Sequence, residues 1–530
     1  MSLKDSVDVD AVARVGLEKL GYKQEMTRSR GLVHILFTVG STVELAIMAV
    51  PYGLAAPIAT SLIGGGPAVM IWGWILVSIL TQTLALSLAE ICSKYPTSAG
   101  AYYWCYRLAS PHTRVLASWV NGWLTVVGVW TIALSVTFGT AQLVVAGAGI
   151  YHPEWIATAW QTCKASYVIF LGVTAVAFLF CLFFNKHLPT IDIICACWTG
   201  LGIIVIMICL STKAAAGRHS ITFALGHFDP SYSGWTPGWS FFIGLLPLNN
   251  VLAYTYAAIG MITNMAEEVH NPSEILPKAI TWSIPIGTLS GVVFLLPILF
   301  TLPDVATLLQ VSSGQPIGVM FTLIMGSRAG GFGMWFIIFG IGMFCAISIS
   351  CAASRATWAF ARDKAIPFHQ SFSKISPYFD DVPVNALLLS TVIQILLGLI
   401  YLGSTAAFNA FVGVAVMCLG ASYAMPVAIS LMNARRDMHD APFNLGRFGT
   451  VINAVAVLWI MFAMILFSMP AVIPVTKVSM NYASVVFVGF GVISAVWYLI
   501  NGRFFYTGPP IPEESTGSTE SNRSTSPLRR

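Results

Sequence analysis

An all-α polytopic membrane protein is predicted, with about twelve transmembrane helices in five-plus-five inverted repeats whose helices one and six are discontinuous. Three observations predict it. Of the 530 residues, 56% are hydrophobic and only 9% charged, where about 25% charged is usual for a soluble chain. Apolar runs of about 20 residues, each able to cross the hydrocarbon core as a helix, recur along the whole length. Two of these runs, five spans apart, are interrupted by helix breakers or glycine.

In chain order the predicted spans are 33–60, 67–90, 116–147, 166–184, 191–211, 240–264, 280–301, 331–353, 384–403, 407–432, 450–469 and 481–500. The first 30 residues are polar and mixed in charge, so no cleaved signal peptide precedes span one. They form a cytoplasmic N-terminal segment, 1–30, ahead of a transporter domain over 31–502. Its repeats cover about 31–211 and 240–432, with two added helices over 450–500. The remainder, 503–530, is read as a disordered cytoplasmic tail, rich in Ser, Thr and Pro.

Orientation follows from the cations. With both termini cytoplasmic, 22 of the 27 Lys and Arg fall on the inner side, and only Lys164, Lys213, Arg218, Arg328 and Lys477 lie outside. Positive residues stay cytoplasmic, so the net charge of +5 is a topology signal and implies no nucleic acid partner. The string RATWAFARDKAIPF reads as a basic amphipathic stretch along the inner membrane face. Most of the ten cysteines lie within spans; Cys195 and Cys197, two apart on a helix, face different ways and make no metal site.

Span one contains VELAIMAVPYGLAAP. Its Pro51-Tyr52-Gly53 interruption removes a hydrogen bond and frees backbone groups that lipid cannot satisfy. Span six carries a glycine-marked weak point from Ala257 to Gly260. Five spans separate the two, so span one runs outward and span six inward, as inverted five-helix repeats require. A substrate site between them follows, with Gly53 and Gly260 admitting close approach to backbone.

Other residues carry chemistry of their own. Glu44, seven residues before Pro51, is a carboxyl at membrane depth and the proton-coupling candidate; H+ is the expected coupling ion, with no cofactor and no metal. Tyr52, then Tyr254, with Tyr256 and Trp130, supply aromatic faces for an ammonium group. Ser348, Ser350 and Ser354 offer hydroxyls on span eight, where small hydroxyls more often pack helices than bind sodium. Lys186 and Asp192 flank the start of span five. Glu267 and Glu268, followed by His270 and Asn271, are placed as an inner gate at the end of span six.

Specific strings add a resemblance. AEICSKYPTSAGAYYW (89–104), TYAAIGMITNMAEEVHNPSEILPKAI (255–280), ASRATWAFARDKAIPF (353–368), DVPVNAL (381–387), APFNLGRFG (441–449) and PVTKVSMNYASVVFVG (474–489) resemble the fungal amino acid/choline permeases of the amino acid–polyamine–organocation superfamily, from about Gly31 to Gly502. The resemblance implies proton-coupled import of amino acids, GABA, choline or polyamines through unwound stretches of helices one and six. By position these are Val50 to Leu54 and Ala257 to Met261. Substrate-binding residues on that reading are Pro51, Tyr52, Gly53, Tyr254, Ala257, Ala258, Ile259 and Gly260. Where the wider superfamily often has an aromatic–acidic pair in helix six, this chain has Ile259-Gly260, which removes an obvious partner for a substrate amine.

An enzyme is not expected, because no HExxH, GxSxG or similar constellation is present. A transporter-like nutrient receptor and a permease for an alkaloid-like amine of a specialised pathway are the competing readings. The expected partners are a small amine or amino acid and the lipid bilayer; the expected location is the plasma membrane, with the vacuolar membrane second.

Overall fold

The computed structural model describes residues 3–28, 48–56, 58–156, 159–245, 255–311, 315–476 and 479–510. Glu44 and Tyr254 lie outside the described residues, as does 511–530. Among the described residues ten helices are long and apolar enough to cross a bilayer. They correspond to every predicted span except one and six.

Of those two, the described residues form short pieces. Helix α1, Leu3–Glu18, precedes the bundle; α2, Val50–Ala55, and α3, Ile58–Gly64, belong to span one. The continuous helices follow as α4 (Trp74–Lys94), the short α5 (Ala101–Leu108), α6 (Arg114–Tyr151), α7 (Ala159–Phe183) and α8 (Leu188–Lys213). Span six opens with α9, Pro237–Leu245, and ends as a 3-10 helix over Met261–Glu268. Then come α10 (Pro272–Phe300), α11 (Arg328–Arg362), α12 (Val384–Gly398), α13 (Thr405–Met432), α14 (Gly449–Phe467) and α15 (Ala483–Trp497).

The core lies where α6 packs on α11 and α13, with α4 against α10 and α14 beside it. In the most apolar stretch of α6, 89% of residues are buried, against 6% for α15, so α6 is an axis of the bundle and α15 a peripheral helix. Hydroxyls inside α6 satisfy themselves on their own helix: Thr131 Oγ1 donates to Val127 O at 2.7 Å and Thr137 Oγ1 to Ala133 O at 2.9 Å. That keeps polar groups paired where no water reaches. The outer helices expose Leu201, Leu396 and Val485, an apolar surface suited to hydrocarbon.

Charged residues collect where α4, α11 and α13 end and α10 begins; this is the charged end of the bundle. Here the structure corrects two expectations and adds one contact surface. The stretch RATWAFAR is not laid along a membrane face: it is the last part of α11, and Arg355 is fully buried within it. Within the N-terminal segment, Leu17, Tyr22 and Met26 are buried against the bundle. The fold does not stop at 502: Tyr506 is buried and its hydroxyl lies 2.8 Å from Ser118 Oγ. In each case a side chain finds a partner distant in sequence, which hydropathy does not register.

Candidate substrate site and gate

The interruption of span one sits two residues before the proline. Ala49 adopts φ 43° and ψ 51°, the left-handed region, and α2 starts immediately after it. Pro51 then occupies the first turn, where its missing N–H costs nothing and its fixed φ suits a helix. Gly53 N donates to Ala49 O at 2.9 Å and Ala56 N to Tyr52 O at 3.0 Å. The stretch Val50 to Leu54, expected to be unwound, is therefore helical; the kink is held by an alanine in a conformation costing about 1–3 kcal/mol.

Span six is interrupted where expected. Tyr256 to Gly260 form turns rather than α-helix. Met261 N donates to Ala258 O at 2.8 Å and Thr263 N to Gly260 O at 3.1 Å, the tighter i to i+3 pattern that continues to Glu268. The two spans meet at Gly53: a Cβ built there would stand 2.4 Å from Thr255 Oγ1. On the far side of the second break, a Cβ on Gly260 would come within 2.5 Å of the Tyr423 ring. Both glycines are required by the closeness of their neighbours.

Between the two interrupted spans lies a cavity lined by Met48, Tyr52, Gly53, Ile132, Val136, Thr255, Ala258, Cys345 and Ile349. Its volume open to the centre of a water-sized sphere is ≈ 10 Å³, about the minimum for one water. Admitting an amine therefore requires the two breaks to move apart. A second void of ≈ 40 Å³ lies beside Tyr256 and Ala257, walled by Thr81, Tyr423 and Trp459. Pro51, Ile259 and Gly260 are buried next to these residues without lining either void.

The aromatic residues divide. Tyr52 lines the central cavity, and its hydroxyl donates to Val136 O at 3.0 Å while accepting from Thr140 Oγ1 at 3.3 Å. Tyr256 stacks on Trp74 with centroids 4.7 Å apart, its hydroxyl 3.0 Å from Ser78 Oγ. Trp130 turns to α11, donating to Thr357 Oγ1 at 2.9 Å, and lines neither void. Tyr52→Phe should lower stability by about 0.5–1.5 kcal/mol, one hydrogen bond, and leave the KM for transport unchanged. A large KM change in uptake assays would instead put the hydroxyl on the substrate.

The serines of span eight are engaged. Ser348 Oγ donates to Asp192 Oδ1 at 2.9 Å, Ser350 to Ala346 O and Ser354 to Cys351 O, both at 2.7 Å. Asp192, read from sequence as a span-end residue, is buried in α8. Among the described residues no group of three or more His, Cys, Asp or Glu is placed to hold a metal ion.

At the charged end the two acids after the second break meet arginines. Arg355 Nε donates to Glu268 Oε1 at 2.8 Å, and Arg362 Nη1 to Glu267 Oε1 at 3.0 Å. Arg355 also reaches Asn185 Oδ1 at 2.6 Å and Ser354 Oγ at 3.0 Å. Arg435 Nη2 stands 2.5 Å from Glu90 Oε1, tying the turn after α13 to α4. Beside them Asp363 accepts the hydroxyls of Tyr22 and Tyr102, each at 2.8 Å. Burial raises the Asp363 carboxyl above its usual range, while Arg362 and the two hydroxyls pull it down.

Sequence reasoning placed Glu267 and Glu268 at this end and missed their partners. A signal was present. Arg355 and Arg362 are seven apart, two helical turns, and so share one face of α11. The adjacent acids point in different directions and take one arginine each.

Residues 32–490 match the family described as amino acid permease. An amino-acid permease of Arabidopsis thaliana is 32% identical over 512 residues, covering 94% of this chain and 96% of that protein. A polyamine transporter of Saccharomyces cerevisiae is 32% identical over 510 residues, 94% of this chain and 80% of its own. A choline transporter of the same yeast is 29% identical over 456 residues, 85% and 78% respectively.

Proposed function

The chain belongs to the amino acid permease family, and from that premise we propose that it is a secondary active transporter, coupled to H+, of an amino acid or a related small amine such as GABA, choline or a polyamine. It is a transporter and not an enzyme. The observation that carries the mechanism is the meeting of two interrupted spans at Gly53 and Thr255, with a buried ion-pair gate at one end.

The cargo enters between the breaks, against Tyr52, Gly53, Thr255 and Ala258, as the half-helices separate. Breaking the helices there lets each half move without disturbing the rest of its span. The charged end is the cytoplasmic end, in keeping with the positive-inside distribution, and the location is the plasma membrane. Release on that side requires Arg355 and Arg362 to part from Glu268 and Glu267. The absence of a carboxylate at Ile259-Gly260 favours a cargo whose amine is held by aromatic faces and backbone carbonyls.

Counterflow in proteoliposomes with a radiolabelled panel of amino acids, GABA, choline and polyamines tests this reading. Exchange of at least one member is expected; binding without exchange would make the protein a receptor. Proton coupling is assigned to Glu44 from its cost at membrane depth. Glu44→Gln should flatten the pH dependence of uptake, and an unchanged pH profile would remove that role.

A further inference from the structure

We propose that residues Leu17–Arg28 are a working part of the gate, a latch that seals the charged end of the bundle and is withdrawn in each transport cycle, with Tyr22 as its positioning residue. This rests on the transport reading above. The segment is polar in composition, yet Leu17, Tyr22 and Met26 are 4%, 4% and 3% exposed. Met26 packs with Trp358, Ala359 and Ala386. Ordering such a stretch costs about 1–2 kcal/mol per residue in backbone entropy alone, so its contacts must be numerous.

They converge on the moving parts. Tyr22 donates to Asp363 Oδ2 at 2.8 Å, and the Arg362 guanidinium lies 4.1 Å from the Tyr22 ring centroid. The same Arg362 is the partner of Glu267. Gln24 Nε2 donates to the backbone oxygen of Glu267 at 2.8 Å, and Arg28 donates to that of Val269. Tyr103 holds the segment from a third side through Leu20 O at 2.9 Å.

Glu267 and Val269 stand at the end of the interrupted span; Arg362 ends α11 and Asp363 follows it. One short segment therefore bridges the two elements whose separation opens the gate. Glu267 and Arg362 cannot part while Gln24 holds the first and Tyr22 lies across the second. Each bridge is a single hydrogen bond or cation–π contact, worth about 1–3 kcal/mol net even where a charged group takes part, and none is a further ion pair, so each can break and remake in turnover.

Two experiments on the full-length protein decide the matter. In Tyr22→Phe the ring stays over Arg362 and only the hydroxyl is lost. Hydrogen exchange of the amides from Met261 to Val269 should become roughly tenfold faster, the effect of removing one hydrogen bond to a carboxylate. In Tyr22→Cys with Asp363→Cys, joining the two thiols with a short bifunctional reagent that reduction cleaves should stop counterflow of whichever panel member the wild type carries. Reduction should restore it, and neither single variant should respond.

Unchanged exchange in Tyr22→Phe, or full counterflow by the joined protein, would overturn the latch. If the wild type exchanges no panel member, the transport reading fails and the amide measurement alone decides the latch. If the double variant does not fold, Tyr22→Phe still decides it.

Discussion

Arg355→Ala is expected to destabilise the protein by about 3–5 kcal/mol and to abolish transport by what remains folded. The guanidinium is fully buried and holds Glu268, Asn185 and Ser354. Forming a buried ion pair gains little net energy, because desolvation cancels much of the attraction; removing one member leaves a charge in a site built for two. Thermal unfolding in detergent measures the first effect, and uptake per folded molecule the second.

A double variant separates glue from gate. Arg355→Met with Glu268→Leu removes both charges, so stability should return close to wild type while uptake stays low. Arg355→Lys should be intermediate, since one ammonium cannot reproduce the planar fork that reaches both Glu268 and Asn185. Wild-type uptake in Arg355→Ala would remove this pair from the mechanism.

Gly53→Ala should reduce uptake roughly tenfold or more with a smaller loss of stability, because overpacking a closed contact typically costs about 1–3 kcal/mol. The added methyl would meet Thr255 Oγ1 at 2.4 Å. It would wedge apart the two interrupted spans at their closest approach, the place where the proposed cargo enters. Thr255→Ala in the same chain removes the obstructing hydroxyl and should recover much of the activity. Additive losses in the double variant, measured by uptake, would mean that the two residues do not meet in the transporting protein.

The fold was legible in the sequence to the extent that it follows from hydropathy. The ten continuous helices lie close to the predicted spans, because a run such as Pro272–Phe300 has no other place in water or lipid. The weak point of span six was also legible, from the glycine at 260. The proline signal was displaced: Pro51 starts a helix and Ala49 makes the break, since proline excludes a hydrogen bond behind it without requiring that its own residue unwind. The arginines were misassigned, because the positive-inside rule counts cations by side of the membrane and is blind to whether each is paired.

What this sequence determined alone was its class, its spans and the two places where a span is weak. All three are local terms, summed over about 20 neighbouring residues, and no partner elsewhere can cancel them. The tertiary structure decided which charges are structural, where Tyr52 points and that Leu17, Tyr22 and Met26 are buried at the charged end. Arg355 and Glu268 are 87 positions apart, Arg362 and Glu267 95, Tyr22 and Asp363 341. A buried charge or hydroxyl is stable only beside its partner, and that partner is known only once the helices have packed.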